Sequence, residues 1–373
     1  MVTLAELDAI ARANDLCAFG ATSAEAFPAT RADLESRKAQ GFDGGMQFTY
    51  RNPARSTEPE RSLPGAETLL VGAYDYQRDA PPRPGSGPQG RVAAYSWEDH
   101  YAVLRDALEA VAEPLRADGY RATVLADQNH LVDRAAAHRA GIGWWGKSTN
   151  ILVPSVGSLV VLGSVLTDAP IEHTPASTME DGCRACTKCL EGCPTDAFVA
   201  PGVLDARRCL AWLLQTDGVF PVEYRVALGD RLYGCDDCQD VCPPNQIRRR
   251  RPSGAGDDGA WVSVLEALES DDDALMARLG RWYVPDRDPA YLRRNLLVVL
   301  GNIGDGSDPA AARAIGRALA DARPLVRAHA VWAARRLRLD TLLDGVDDAD
   351  PEVRAELVRD VPRADASTGA PSA

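Results

Sequence analysis

Hydrophobic and polar residues alternate with two different periods along residues 1–172. In segments 3–14 and 99–117, apolar residues recur every three or four positions, which predicts amphipathic helices. Strands are predicted at short apolar runs, in 68–74, 122–126 and 159–166. Because helices alternate with strands, we expect these residues to form an α/β domain.

The last third of the chain is predicted to be helical and repetitive. A loosely kept D-x-x-x-[VL]-R-x-x-[AL] pattern returns at intervals of about thirty residues, in 288–305, 321–337 and 348–360. Each segment is typical of the second helix of a HEAT-type pair, which buries one face against the next repeat; an ordinary helical bundle is the alternative. We expect helical repeats over 251–362 and a disordered tail at 363–373. Together with the first domain, they predict a multidomain protein of the α+β or α/β class.

Eight of the nine cysteines lie between these regions, in a segment that we assign to a ferredoxin-like module at 173–250. The first four form a C-x2-C-x2-C-x3-C-P run that ends at Pro194, which is the pattern with which bacterial ferredoxins bind a 4Fe–4S cluster. The last three repeat this pattern with one cysteine missing, and Cys209 completes the count. In two-cluster ferredoxins the fourth cysteine of such a run ligates the other cluster.

The spacing therefore predicts two 4Fe–4S clusters with no thiolate of the module left over. One cluster would be held by Cys183, Cys186, Cys189 and Cys242, and the other by Cys193, Cys209, Cys235 and Cys238. A pair of four-cysteine zinc sites is the alternative, because C-x2-C pairs also bind zinc. Cys17 stands apart from the module, and we expect it to be a small core residue.

Composition limits the class of protein more than its function. The chain has 373 residues, enough for two or three domains, and a net charge of −13. No apolar run reaches the roughly 18 residues of a membrane span, and no signal peptide is evident, so we expect a cytoplasmic protein. The net charge argues against a nucleic-acid partner. However, residues 281–338 hold 11 Arg, 5 Asp and no Lys or Glu; such arginines either contact RNA phosphates or pair within the protein.

The segment 126–170 is the densest in candidate chemistry outside the cysteines. Its GIGWWGK stretch (141–147) combines glycines and indoles that could border a large planar ligand, although this signal is weak. Asp127 and His130 precede it, and either one taken alone is more often a helix cap or a satisfied polar residue than a catalyst.

In combination, these motifs resemble those of the tRNA epoxyqueuosine reductases, cobalamin-dependent iron–sulfur enzymes of queuosine biosynthesis. The resemblance covers nearly the whole chain and is partly shared with reductive dehalogenases, which typically lack the repeats. The matching segments are RNPARSTEPERSLPGAETLLV (51–71), GIGWWGKSTNIL (141–152), GSLVVLGSVLTD (157–168), CRACTKCLEGCPTDAF (183–198), LDARRCLAWL (204–213), YGCDDCQDVCPPN (233–245), RRNLLVVLGN (293–302) and PLVRAHAVWA (324–333).

The resemblance implies an activity and a set of site residues. Asp127 would be the proton donor and would lie beside cobalamin, with Arg55, Ile151 and Leu162 as further cobalamin contacts, the last two through their backbone. Electrons would pass from the clusters to cobalamin, and the epoxide of epoxyqueuosine at the tRNA wobble position would become an alkene. The implied partners are the anticodon stem-loop of tRNA and an electron donor such as flavodoxin or ferredoxin. We expect a monomer with no membrane partner.

Three short segments depart from the family pattern. The family usually has D-[ST]-x-P-x-x-E-[RK] where this chain has DQNHLVDR (127–134), YLTIE where it has WLLQT (212–216), and DYH where it has DHY (99–101). Two alternatives therefore accompany the tRNA-modifying reductase: a cobalamin and iron–sulfur reductase of a small molecule, and an iron–sulfur electron-transfer protein whose repeats form a docking scaffold.

Overall fold

The chain forms two units, each built from separate stretches, in a computed structural model that describes residues 2–174, 181–249 and 258–363. The first unit comprises Met1–Asp79, Glu98–Arg207 and Asp236–Ala255; the second comprises Ala80–Trp97, Arg208–Cys235 and Gly256–Ala373. Apart from Arg363, the predicted tail at 363–373 lies outside the described residues.

Short strands and mostly short helices make up both units. The strands are β1 (Leu16–Ser23), β2 (Thr68–Asp75), β3 (Gln89–Val92), β4 (Ala122–Ala126), β5 (Trp144–Trp145), β6 (Ile151–Leu152), β7 (Val160–Thr167), β8 (Phe198–Ala200), β9 (Val203–Leu204), β10 (Arg231–Tyr233) and β11 (Trp261–Ser263). The helices are α1 (Leu4–Ala13), α2 (Pro28–Ala39), α3 (Phe48–Arg51), α4 (Pro53–Thr57), α5 (His100–Ala117), α6 (Asp133–Arg139), α7 (Lys188–Glu191), α8 (Leu210–Leu213), α9 (Val222–Leu228), α10 (Asp237–Asp240), α11 (Pro243–Arg249), α12 (Val264–Glu269), α13 (Asp272–Leu279), α14 (Pro289–Ile303), α15 (Pro309–Leu319), α16 (Pro324–Arg336) and α17 (Pro351–Val358). In the described part of the chain, no helix has the length and apolar character that crossing a membrane requires.

A four-stranded sheet with the order β1-β2-β7-β4 organises the first unit. The predicted strands at 68–74, 122–126 and 159–166 are confirmed, and β2 and β7 occupy the centre, where their apolar runs are buried. Every pairing in this sheet is antiparallel, so the mixed fold is α+β and the α/β expectation for this domain is corrected. Alternation of helices and strands does not determine strand direction, because direction depends on which strands become neighbours.

Helices cover both faces of this sheet. The predicted helix at 99–117 is α5, which begins where the Asp99 carboxylate accepts a hydrogen bond from the Ala102 amide at 2.9 Å. Two glycines let α5 approach the sheet: an added Cβ would lie 3.3 Å from Leu108 at Gly72 and 2.8 Å from Leu108 at Gly163. On the other face, the alanines of α6 join a core with β2, β4, β6 and β7.

Cys17 lies on β1 and is packed against the hydrophobic core that α6 forms with the sheet. It is partly buried, and its thiol donates a hydrogen bond to the Ala73 carbonyl at 3.2 Å. This position agrees with the expectation of a small core residue.

The second unit combines a small sheet, of order β10-β3-β11, with helices that pack side by side. The predicted helical segments at 288–305, 321–337 and 348–360 contain α14, α16 and α17, and α16 packs against both of the others and against α15. Three helices (α14, α15 and α17) begin with an aspartate cap followed by proline. The Asp-Pro pairs therefore mark helix starts, since proline fits the first helical position and aspartate caps the free amides.

Candidate functional site

A left-handed backbone turn carries the predicted proton donor. Asp127 directly follows β4 and has φ of +53°, a conformation that non-glycine residues adopt only at a cost in free energy. The loop from Asp127 to Val132 then leads into α6. Strain of this kind is commonly retained where a side chain must be held in one place for function.

Charged groups from two helices surround this turn, and we call the set the Asp127 cluster. Its members are Asp99, Tyr101 and Arg105 of the α5 region, Asp127 itself, and Asp133 and Arg134 of α6. Asp127 is exposed, yet nearby protein atoms displace enough water that burial raises its pKa; the charge of Asp99 adds to this rise and Arg105 opposes it. An accessible carboxyl with a raised pKa can remain protonated and donate its proton to a ligand.

Burial also acts on the second carboxyl of the cluster. Burial raises the pKa of Asp133 well above its ordinary value, and the charge of Asp127 raises it further, against the opposing charge of Arg134. Burial also raises the pKa of the Tyr101 hydroxyl, with further contributions from Asp127 and Asp133. All three groups therefore bind their protons more tightly than they would in water.

Hydrogen bonds from α4 hold the loop that follows Asp127. The Ser56 hydroxyl donates to the Asn129 carbonyl at 2.9 Å, and the Ser56 carbonyl accepts from the Val132 amide at 3.0 Å. Ser56 is buried, so these bonds are shielded from water. They place the loop beside α4, which also carries Arg55.

Arg55 contacts the Asp127 loop directly. Its guanidinium donates to Nε2 of His130, so the proton of the neutral imidazole lies on Nδ1, which lies 3.3 Å from the Ser62 hydroxyl. Burial lowers the pKa of His130, and the charge of Arg55 lowers it further. The structure thus places the predicted residue Arg55 against the loop that follows Asp127. The contact runs through His130, which has a polar partner at each ring nitrogen, as expected for a satisfied polar residue.

Ile151 and Leu162, the other predicted cofactor contacts, lie in the core. Ile151 pairs with Trp145 across the β5–β6 hairpin, and Leu162 pairs with Ala73 in the main sheet. Both side chains are buried in the same hydrophobic cluster. Only their backbone groups are therefore candidates for contact with a bound molecule, as the resemblance implies.

The glycines of GIGWWGK serve the local hairpin. An added Cβ would lie 2.4 Å from the Leu152 carbonyl at Gly143 and 2.3 Å from the Leu152 side chain at Gly146. The expectation that they leave room for a planar ligand is therefore corrected: their space is filled by Leu152. Two buried polar atoms lack a partner among the described residues. The indole N–H of Trp144 has no acceptor, and the side-chain oxygen of Asn129 has no donor.

Four cysteines of the first unit lie near enough for their charges to act on one another. Cys183 lies in a turn, Cys186 in the loop before α7, Cys189 in α7 and Cys242 just before α11. Burial raises the pKa of Cys242 to about 11, and the charges of Cys189, Cys183 and Cys186 add to the effect. Thiols that influence one another in this way lie close together, and this set is the one predicted for the first cluster.

The thiols predicted for the second cluster belong to two different units. Cys193 and Cys238 are in the first unit, and Cys193 Sγ accepts a hydrogen bond from the Ala197 amide at 3.3 Å. Cys209 and Cys235 are in the second unit, at the start of α8 and after β10. None of the nine cysteines forms a disulfide. Among the described residues, no three His, Cys, Asp or Glu side chains are placed to hold a single metal ion.

Most arginines of residues 281–338 are engaged within the protein. Eight of the eleven donate to protein oxygens: Arg281, Arg293, Arg294, Arg317, Arg323, Arg327, Arg335 and Arg336. Arg294 is fully buried and donates to the carbonyls of Thr216 and Gly218, both at 2.8 Å. Arg287, Arg313 and Arg338 are exposed and have no acceptor among the described residues. Of the two interpretations of these arginines, internal pairing accounts for the larger number.

Comparison with known proteins identifies the cysteine module. A family model described as a 4Fe-4S double cluster binding domain matches residues 182–245, which contain all eight clustered cysteines. The prediction of two 4Fe–4S clusters is confirmed over the zinc alternative.

Similarity to known proteins extends over both units. An epoxyqueuosine reductase of Bacillus cereus is 32% identical over 360 residues, covering 91% of this chain and 92% of the relative. One of Xanthomonas campestris pv. campestris is 35% identical over 317 residues, covering 81% and 87%.

Solved structures agree with this similarity. An epoxyqueuosine reductase crystallised with an epoxyqueuosine-modified stem loop of tRNA-Tyr superposes with a TM-score of 0.83 at 29% identity, covering 95% of this chain and 97% of that one. The Bacillus subtilis enzyme, with its catalytic aspartate loop swung out of the active site, gives a TM-score of 0.83 at 30% identity, covering 95% and 96%.

Proposed function

The chain belongs to the epoxyqueuosine reductase family, and on this basis we propose that it reduces epoxyqueuosine at the wobble position of tRNA to queuosine. The observation that carries the proposal is Asp127, an accessible carboxyl with a raised pKa on a strained loop, in a chain that also holds the double-cluster cysteines. The Bacillus subtilis relative likewise has a catalytic loop with an aspartate.

Proton delivery is the chemical task of the Asp127 cluster. Reduction of an epoxide to an alkene consumes two electrons and two protons and releases the oxygen as water. An epoxide oxygen leaves poorly as an alkoxide, so Asp127 donates a proton to it; a positioned acid of this kind contributes about 10²–10⁴-fold in rate. Asp99 supports the protonated form of Asp127 by raising its pKa.

Cobalamin is the proposed second cofactor, because the family that the sequence resembles uses it. Two unpaired buried groups fit its amide-rich periphery: the Asn129 oxygen lacks a donor and the Trp144 indole N–H lacks an acceptor within the described structure. Arg55 would contact it from α4, Asp127 from the loop, and Ile151 and Leu162 through their backbone. When bound, the clusters and cobalamin supply the electrons and the metal-centred reduction.

The cysteines are proposed to hold the clusters as their spacing predicts. Cys183, Cys186, Cys189 and Cys242 would bind the first cluster, and Cys193, Cys209, Cys235 and Cys238 the second. The clusters so held would supply the electrons that come from an external donor such as flavodoxin or ferredoxin. Cysteines that form no disulfide suit the cytoplasmic, reducing compartment that we propose.

The tRNA stem-loop is the proposed substrate, as it is for the relative crystallised with one. We assign its phosphate contacts to the HEAT-like helices at 251–362, and specifically to the unpaired arginines Arg287, Arg313 and Arg338. The other boundaries we propose are a cobalamin-binding domain at 1–172, a cluster module at 173–250 and a tail at 363–373. The protein is proposed to act as a monomer.

Anaerobic reduction of epoxyqueuosine-containing tRNA by the purified protein tests the function. Nucleoside mass spectrometry should show queuosine, and the absorption spectrum of the protein should show a bound corrinoid. Bound corrinoid without queuosine formation would instead support a small-molecule reductase. Iron and sulfide without any corrinoid binding would contradict both enzymes and support the electron-transfer protein.

A further inference from the structure

A fully buried asparagine connects a cluster ligand to the main sheet of the first unit. Asn245 lies three residues after Cys242, in the first turn of α11. Its side-chain Oδ1 accepts from the Ser158 amide at 2.8 Å, and its Nδ2 donates to the Ser158 hydroxyl at 3.0 Å and to the Gln239 carbonyl at 2.8 Å. The amide thus has a partner for each of its polar atoms, and all of them lie on other segments.

The segment opposite Asn245 is shaped to receive it. Gly157 has φ of +106°, and a Cβ added there would lie 2.0 Å from Asn245 Oδ1. Ser158, the next residue, also donates its hydroxyl to Gln239 Oε1 at 3.0 Å. Gln77, just after β2, donates to the Asn245 carbonyl at 3.1 Å. The turn between β6 and β7, the end of β2 and α10 therefore all meet at one residue, the first two elements and α10 being joined through the side chain or the carbonyl of Asn245.

The backbone of Asn245 lies next to the cluster ligand along the chain. Cys242 directly precedes α11, and Pro243 and Pro244 have no N–H, so the Asn245 amide is the first of this helix that can donate toward the Cys242 sulfur. Hydrogen bonds to the ligating sulfurs are among the factors that set the reduction potential of an iron–sulfur cluster, since an N–H dipole stabilises the more negative, reduced state. The side-chain bonds of Asn245 hold this N–H in place.

We propose that Asn245 is a positioning residue for the first cluster: its side-chain amide fixes the Cys242 ligand, and the N–H that can donate to its sulfur, against the β6–β7 turn. This turn joins the strands that carry Ile151 and Leu162, so the same contact sets the cluster relative to the backbone proposed to face cobalamin. The inference rests on the double-cluster part of the proposed function and not on the identity of the substrate.

Redox titration of the full-length protein, followed by electron paramagnetic resonance, tests this role. Wild type and Asn245→Ala are reconstituted anaerobically, with iron and sulfide measured in each. In Asn245→Ala, the signal of one cluster should move to a more negative potential while the other stays in place. Gly157→Ala should shift the same signal in the same direction, because its methyl group displaces the amide. The double variant should shift it no further than the larger of the two single shifts.

Asn302→Ala is the matched control. Asn302 also donates its amide to backbone carbonyls, those of Arg225 and Gly229, but it lies in the second unit. Its loss should leave both potentials unchanged. Should Asn245→Ala fail to retain clusters, Ser158→Ala removes a single partner of the amide and should give a smaller shift in the same direction.

Unchanged reduction potentials in an Asn245→Ala variant that holds both clusters would overturn the proposal. An equal shift of the potential in Asn302→Ala would overturn it as well. If Asn245→Ala does not retain its clusters, an unchanged potential in Ser158→Ala would have the same consequence. The titration needs no tRNA. A negative result here would therefore leave the proposed reductase activity standing, and failure of the tRNA assay would leave this result standing.

Discussion

The Asp127 cluster of the first unit and the arginine-rich helices of the second unit are both dense in charge, but they use it differently. In the Asp127 cluster, burial disfavours the ionised carboxyls and the charge of one carboxyl acts on the next, so the pKa values of Asp127 and Asp133 rise. In the helices, carboxylates face arginines and ionise more readily; Arg327 lowers the pKa of Asp348 to about 2. Carboxylates that pair with arginines are occupied within the fold, whereas carboxyls with a raised proton affinity are available for proton transfer.

Among changes in the Asp127 cluster and in the arginine-rich helices, loss of the Asp127 carboxyl should have the largest effect. Asp127→Asn keeps the shape of the side chain but cannot donate a proton in the same way, so single-turnover reduction of epoxyqueuosine tRNA should slow by about 10²–10⁴-fold. Iron, sulfide and corrinoid content should stay at the wild-type level. Asp106→Asn, an exposed carboxyl on α5, is the control and should react at the wild-type rate. A near-normal rate for Asp127→Asn would remove Asp127 from the acid role.

Breaking a buried pair in the second unit should cost stability and spare the chemistry. Arg225 and Glu356 form a bidentate pair at 3.0 and 2.9 Å, and both side chains are buried. Glu356→Ala leaves the guanidinium without its partner, which lowers the free energy of unfolding by about 3–5 kcal/mol in comparable pairs. Denaturant unfolding measures the change, with Glu352→Ala on the exposed side of α17 as the control. Equal stability of the two variants would contradict a structural role for the pair.

The pKa of Asp127 can be changed without removing its carboxyl. Asp99 raises the pKa of Asp127 and also caps α5, so Asp99→Asn removes the charge and retains a good capping residue. Because the protonated form of Asp127 is the donor, the rate falls as pH rises through its pKa, and in Asp99→Asn this fall should occur at lower pH. Arg105→Gln removes an opposing charge and should move the fall to higher pH. Shifts in the same direction for both variants would exclude this electrostatic explanation.

The smallest effects should come from the unpaired arginines. Arg313→Glu should weaken tRNA binding a few-fold and reduce the salt dependence of the binding constant by about one phosphate contact. Arg327→Gln, which loses bonds to Asp348 at 2.6 and 3.0 Å, should lower stability without changing that salt dependence. Binding titrations at several salt concentrations distinguish the two. If Arg327→Gln changed the salt slope and Arg313→Glu did not, the paired arginines would be the RNA ligands.

Features that depend on short spacing could be predicted from the sequence. The cysteine run, the Asp-Pro helix starts and the central strands all follow from residues that are close neighbours along the chain. The antiparallel order of the sheet, the Arg55–His130 contact and the Asn245 contacts could not, because each joins segments tens of residues apart. The net charge was a poor guide to a nucleic-acid partner for the same reason, because it does not show which arginines are paired within the protein.

The pH dependence of single-turnover tRNA reduction tests the central claim most directly, since it reports the protonation of the acid during the reaction. Wild type and Asp127→Asn, with matched cluster and corrinoid content, are compared over a pH range in which both stay folded. We expect the wild-type rate to fall as pH rises through the pKa of Asp127, and the slow residual rate of Asp127→Asn to lack this fall. A wild-type rate that rises with pH, or a fall that persists in Asp127→Asn, would contradict the assignment of Asp127 as the proton donor.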